Sequence, residues 1–162
     1  MRSRIPSLVC VLVLVAGGVA ACSNDRGSSK PLTKSELISK GDKVCTGFGK
    51  KIDDISDPKG EVTDETPPSQ VEKWAASYTD LANLLNDEAD ALAKLTPPAA
   101  DSESYAKVLS DLHIQAEYAK QAATAAKTGD PTGVQNALKL QKSSDAASEE
   151  FLTSYGFKVC GT

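Results

Sequence analysis

Residues 67–98, PPSQVEKWAASYTDLANLLNDEADALAKLTPP, decide the fold. Val71, Trp74, Tyr78, Leu81, Leu85, Leu92 and Leu95 recur at steps of three, four and seven, a pattern broken only at Glu88. That spacing puts one apolar stripe on one face of a helix. Pro68 or Ser69 can start this helix. Thr96-Pro97-Pro98 stops it, because proline cannot continue the ladder and disfavours helical geometry in the residue before it.

Upstream, Thr33 and Glu36 have the spacing of a capping box at the start of another helix. Its inward stripe would be Leu37, Gly41, Val44/Cys45, Phe48, Ile52 and Ile55. Residues 56–68 carry Pro, Gly, Asp and Thr without apolar periodicity and read as a long loop. Downstream, a third helix is expected over Ser102–Lys127 with Tyr105, Val108/Leu109, Leu112, Ala116, Ala119, Ala123 and Ala126 on one stripe. Its alanine-rich second half would let a neighbouring helix approach closely. Gly129-Asp130-Pro131 combines a C-terminal glycine, an N-cap Asp and a first-turn Pro, and so separates the third helix from a fourth. The fourth would run to Tyr155 with Val134, Ala137/Leu138, Leu140, Ala147, Phe151 and Tyr155 inward, its middle diluted by Ser143, Ser144 and Asp145. Gly156 ends it, and an apolar tail follows to Cys160. Short links between the later helices imply antiparallel neighbours, so the expected fold is all-α: an antiparallel four-helix bundle over residues 32–162 with the tail folded back.

The N-terminus has a basic start with Arg2 and Arg4, an apolar stretch from Leu8 to Val15, and a run of small residues up to Cys22. This is the layout of an export signal over residues 1–21. Even from Ile5 to Ala21 the run falls short of the ~20 apolar residues that span a bilayer, and it contains Pro6 and Gly17-Gly18. Val19-Ala20-Ala21-Cys22 resembles the lipobox of bacterial lipoproteins, with Val19 where Leu is commoner. The resemblance implies that Cys22 carries diacylglycerol and becomes the N-terminus after cleavage. Residues 22–31 would then be a lipidated flexible tether. Two or three acyl chains give durable attachment. The expected location is therefore the extracytoplasmic face of a cell membrane, with the membrane as partner through the lipid on Cys22.

Cys10 leaves with the signal and Cys22 carries lipid, so Cys45 and Cys160 remain. In an oxidising compartment they most simply pair; two free thiols or a metal pair are the alternatives. Export also removes Arg2 and Arg4, leaving 16 basic against 22 acidic residues and a net charge of −6. An acidic domain is repelled by nucleic acid, so no nucleic-acid partner is expected. A cysteine in the first helix, Trp74 and Leu81 in a helix ending Leu95-Thr96-Pro97-Pro98, and Tyr155-Gly156-Phe157-Lys158-Val159-Cys160 resemble the small secreted helical lipoproteins of actinobacteria. Most of those have no assigned function. The resemblance implies a bundle and brings no chemistry.

His113 is the only histidine, with Glu117 one turn on along the same helix face and Asp111 nearby. The pair is similar to the His-x-x-Glu of imelysin-like periplasmic helical proteins but is spaced one residue wider. A first-row metal site needs three or four converging ligands, so no metal is expected and His113 reads as a surface residue. Acidic runs at Asp53-Asp54, Asp87-Glu88-Asp90 and Glu149-Glu150 match no calcium loop and read as solvated faces. The aromatic residues sit at core spacing; Trp74, Tyr78 and Tyr105 are those that would line a small-ligand pocket. Hydrolase, P-loop and dinucleotide fingerprints are missing, so no catalytic residue, no cofactor and no enzymatic activity are expected. The expected function is a membrane-anchored binding or interaction module for a small ligand or an envelope protein. The alternative is a metal carrier or enzyme using His113 and nearby carboxylates.

Overall fold

The computed structural model describes residues 30–55 and 62–160, leaving aside the side chain of Ala147. The expected signal over 1–21, the lipidation site Cys22 and most of the tether lie outside the described residues, as do residues 56–61 of the long loop. The fold is the expected all-helical bundle, with no strand among the described residues. Helix α1 spans Lys34–Asp53, a single turn α2 spans Pro68–Val71, and α3 spans Ala75–Ala93; α4 is Ser102–Lys127 and α5 is Pro131–Tyr155. Short 3-10 turns at Glu72–Trp74 and Ala99–Asp101 lead into α3 and α4. Among the described residues no helix is long and apolar enough to cross a membrane.

Local chemistry sets the helix ends. At α1 the Thr33 hydroxyl accepts from the Glu36 amide while the Glu36 carboxylate accepts from the Thr33 amide. These two bonds satisfy donors that the helix itself cannot. The Thr33 amide, and then its hydroxyl, donate to the Glu36 carboxylate and hold that carboxyl below its ordinary range. Asp130 caps α5 by accepting from the Gly133 amide at 3.0 Å. Gly129 and Gly156 both take left-handed φ, +63° and +111°, where a side chain would be strained. The one departure within the helices is the 3-10 turn at Glu72–Trp74, which splits the expected second helix into α2 and α3 without changing its stripe.

Neighbours run antiparallel, and the cross-helix bonds give their register. Tyr105 Oη donates at 3.0 Å to the Leu92 carbonyl near the end of α3, which also accepts from the Leu95 amide at 2.9 Å. Further along, His113 Nδ1 meets Asn86 Oδ1 at 2.9 Å, and the Ser148 hydroxyl donates to Asp111 at 3.2 Å. At one end of the bundle, Val62, Val71, Trp74 and Tyr78 pack on Ala122, Ala123 and Ala126 of α4 and on Val134 and Ala137 of α5. The small alanine side chains permit that close approach. Val62 belongs to the expected loop, yet it is buried here. Its segment is strapped to α5 by Asp64, which accepts from Thr132 and Gln135 at 3.1 and 3.0 Å.

The other end is closed by the tail. Leu37 and Cys45 of α1, Leu92, Tyr105, Val108, Leu152, Tyr155, Phe157 and Cys160 form one buried cluster. Phe157 stacks on Tyr155 and lies over Gly41, where an added Cβ would come within 2.5 Å of its ring. Cys45 and Cys160 form the disulfide, with alpha-carbons 5.3 Å apart, inside the range a bridge requires. Asp42 completes the attachment: its carboxylate accepts from the amides of Lys158, Val159 and Cys160 at 2.9 to 3.3 Å. Helix α1 packs chiefly on α3, and it reaches the α4–α5 pair mainly through this tail.

Candidate functional site

Between the alanine-packed end and the disulfide-tied end, the four long helices do not close on one another. They leave between them a cavity of about 510 Å³, partly open to solvent, within the range of small-molecule sites. Its wall takes Cys45, Gly49, Ile52 and Asp53 from α1, and Leu81, Leu85, Glu88 and Leu92 from α3. Helix α4 contributes Val108, Leu112 and Gln115; α5 contributes Gln141, Asp145, Ser148, Glu149 and Leu152; Val159 and Cys160 come from the tail.

The gap has a residue-level origin. Gly49 continues the inward stripe of α1 one turn beyond Cys45, and a Cβ built there would meet nothing within 4 Å. Opposite it, the middle of α5 carries Gln141, Asp145 and Ser148 where an apolar stripe would have filled the space. Leu140, expected inward, is instead 48% exposed. Helix α5 therefore turns its polar middle toward the cavity.

Glu88 dominates the electrostatics. Only 9% exposed, it makes no hydrogen bond or ion pair with any described residue. Burial pushes its carboxyl up to about 7, because a low-dielectric surround disfavours the ionised form. The solvated-face reading of the Asp87-Glu88-Asp90 run holds for Asp87 and Asp90 and fails for Glu88. The interruption of the apolar stripe was itself the signal, since a residue on the stripe points inward whatever its polarity. Gln115 is 4% exposed with its amide nitrogen unpartnered, and the side-chain oxygen of Gln141 is buried and likewise unpartnered. Buried polar atoms are usually paired, so these two unpartnered atoms together with the Glu88 carboxyl make this wall unusual among the described residues. At the rim, partial burial and then the neighbouring Glu149 carboxylate push Asp145 up.

The pocket envisaged around Trp74, Tyr78 and Tyr105 lies elsewhere in the fold. Trp74 and Tyr78 are packed in the alanine-rich cluster and Tyr105 in the disulfide cluster, and none of the three faces the cavity. Large rings at stripe positions are consumed by the core they make. His113 is exposed beside Asn86, while Glu117 is exposed and pairs with Lys120 at 3.4 Å. Asp111 is taken by Lys107 and Ser148. No group of three or more His, Cys, Asp or Glu side chains positioned to hold a metal ion occurs among the described residues. Cys45 and Cys160 form the expected bridge and also contribute to the cavity wall. Compared with protein-family models, curated proteins and solved structures, the chain matches none.

Proposed function

We propose that this protein is a lipid-anchored binding module of the cell envelope, held on the extracytoplasmic face of the membrane through Cys22 and taking a small ligand into the cavity between its helices. The observation that carries the binding half is the unpaired carboxyl of Glu88 inside the cavity of about 510 Å³. An apolar residue there would restore the stripe and make the bundle more stable. A group kept at that cost is best explained by what it contacts when the cavity is filled. Support for the anchoring half comes from the signal layout, the lipobox resemblance and the even cysteine pair left once Cys22 is modified.

Native mass spectrometry of the protein released from its own membrane tests both halves. The expected spectrum shows a diacylglyceryl mass on an N-terminal Cys22 and a non-covalent small molecule that Gly49→Leu, which projects a branched side chain into the cavity, removes. Cys22→Ala should move the protein out of the membrane-anchored fraction. An unmodified Cys22 would overturn the anchoring, and a ligand retained equally by Gly49→Leu would overturn the cavity as its site.

A further inference from the structure

Every described ionisable side chain lining the cavity is acidic: the buried Glu88 from α3 and, exposed at the rim, Asp53 from α1 and Asp145 and Glu149 from α5. From α4 the polar group is the uncharged Gln115, the described part of the tail adds no titrating group, and no Lys, Arg or His among the described residues lies in the wall. An anion placed there would meet carboxylates with nothing to offset them. A neutral guest can hydrogen-bond Glu88 but offers its ionised form no opposite charge. A bare metal ion would need several converging ligands, and the described residues offer no such group.

We infer, resting on the reading of the cavity as a ligand site, that its ligand is a small organic cation: an ammonium group on an apolar body, with the ammonium against Glu88. The antiparallel register sets the level of the head group. Asn86 stands opposite His113 and Asp111 opposite Ser148, so Glu88 is level with Asp111 and Ser148, Gln115 lies about one turn along, and Gln141 about two turns, or ~10 Å, along. An ammonium donates several hydrogen bonds and accepts none. One can go to Glu88, while the unpartnered oxygen of Gln141, about two turns along, can take a donor elsewhere on the ligand or a water. The free amide of Gln115 is left for an acceptor elsewhere on the ligand or for a water. Leu81, Leu85, Leu112 and Leu152 supply the apolar wall for the ligand's body. Away from bulk water a charge-assisted bond is stronger than a neutral one, so the head group decides selectivity. The ammonium also favours the ionised form of Glu88, so binding should expel a proton near neutral pH.

The test is calorimetric titration of the full-length protein in lipid nanodiscs, with empty nanodiscs as the blank. Three probes share one chain length: n-hexylammonium, 1-hexanol and hexanoate. The ammonium should bind at least about tenfold tighter than the alcohol, and hexanoate should give no heat beyond that of Gly49→Leu. Glu88→Gln, close in shape and without the charge, should bring ammonium and alcohol to similar affinities. Between about pH 5.5 and pH 8 the ammonium affinity should rise in the wild type and stay flat in Glu88→Gln. Hexanol or hexanoate binding as tightly as the ammonium, or an ammonium preference that survives Glu88→Gln, would overturn the cation assignment and leave the cavity a ligand site. Heats from all three probes that Gly49→Leu leaves unchanged would overturn the site itself, as would the absence of any heat.

Discussion

Glu88 occupies the position of the seven-residue pattern where a leucine would be expected, and it does so without a hydrogen-bond or ion-pair partner among the described residues. Glu88→Leu should therefore stabilise the empty protein by about 1–3 kcal/mol at pH 8, by removing an unpaired buried polar group, while abolishing ligand binding. Urea unfolding of the two proteins at that pH checks the gain; a less stable variant would sink the argument. The pH dependence follows from the direction of the shift. The folded carboxyl titrates at about 7, above its ordinary 4.5, so the folded state holds the extra proton between those values. The contribution of Glu88 to stability is thus present below pH 4.5 and lost as pH rises to about 7. The advantage of Glu88→Leu over wild type should widen across that window, and an advantage independent of pH would assign the burial cost to something else.

The helices differ in how firmly each is packed, and α1 carries the contrast within itself. Gly41 lies under the Phe157 ring, whereas Gly49 faces open space. Alanine should consequently act with opposite sign at the two positions. Gly49→Ala should gain about 1 kcal/mol from helix propensity, and Gly41→Ala should lose stability because the ring must move. Chemical denaturation of the pair decides it, and equal effects would contradict the packing described for the tail. At the caps, Asp130→Ala should cost ~1 kcal/mol. Helix boundaries of this kind were legible in the sequence, because capping boxes, Gly-Asp-Pro and double proline act through the backbone nearby. The 3-10 turn before α3 was not, since Glu72, Lys73 and Trp74 carry no breaker. The cavity was half legible. Glu88 in the stripe of α3 and the polar middle of α5 were visible as irregularities, but a void depends on how far four helices stand apart. Gln115 and Gly49 gave no such warning. The bonds from Asp42 to residues 158–160 link groups more than a hundred positions apart, and no local pattern announces them.

For the molecule as a whole, cysteine bookkeeping anticipated the bridge that ties α1 to the tail. Reduction should lower the melting temperature, since a closed loop of this size restricts the unfolded chain by ~4–5 kcal/mol in the entropy model. Helicity should survive at room temperature, because the α3–α4–α5 packing does not pass through the bond. Circular dichroism with and without reductant checks both statements, and an unchanged melting point would contradict the first. The bridge joins residues 115 positions apart, so almost the entire bundle lies inside a covalent ring, with α1 up to Cys45 as its only helical leader among the described residues. A pull between the two chain ends would then unravel little more than that leader before the sulfur–sulfur bond took the load. Some 115 residues, about 400 Å of chain at ~3.5 Å each, would stay hidden from the pulling device until the bond was reduced. A protein tugged at its N-terminus would yield at the first turns of α1 and keep its remaining helices within the ring.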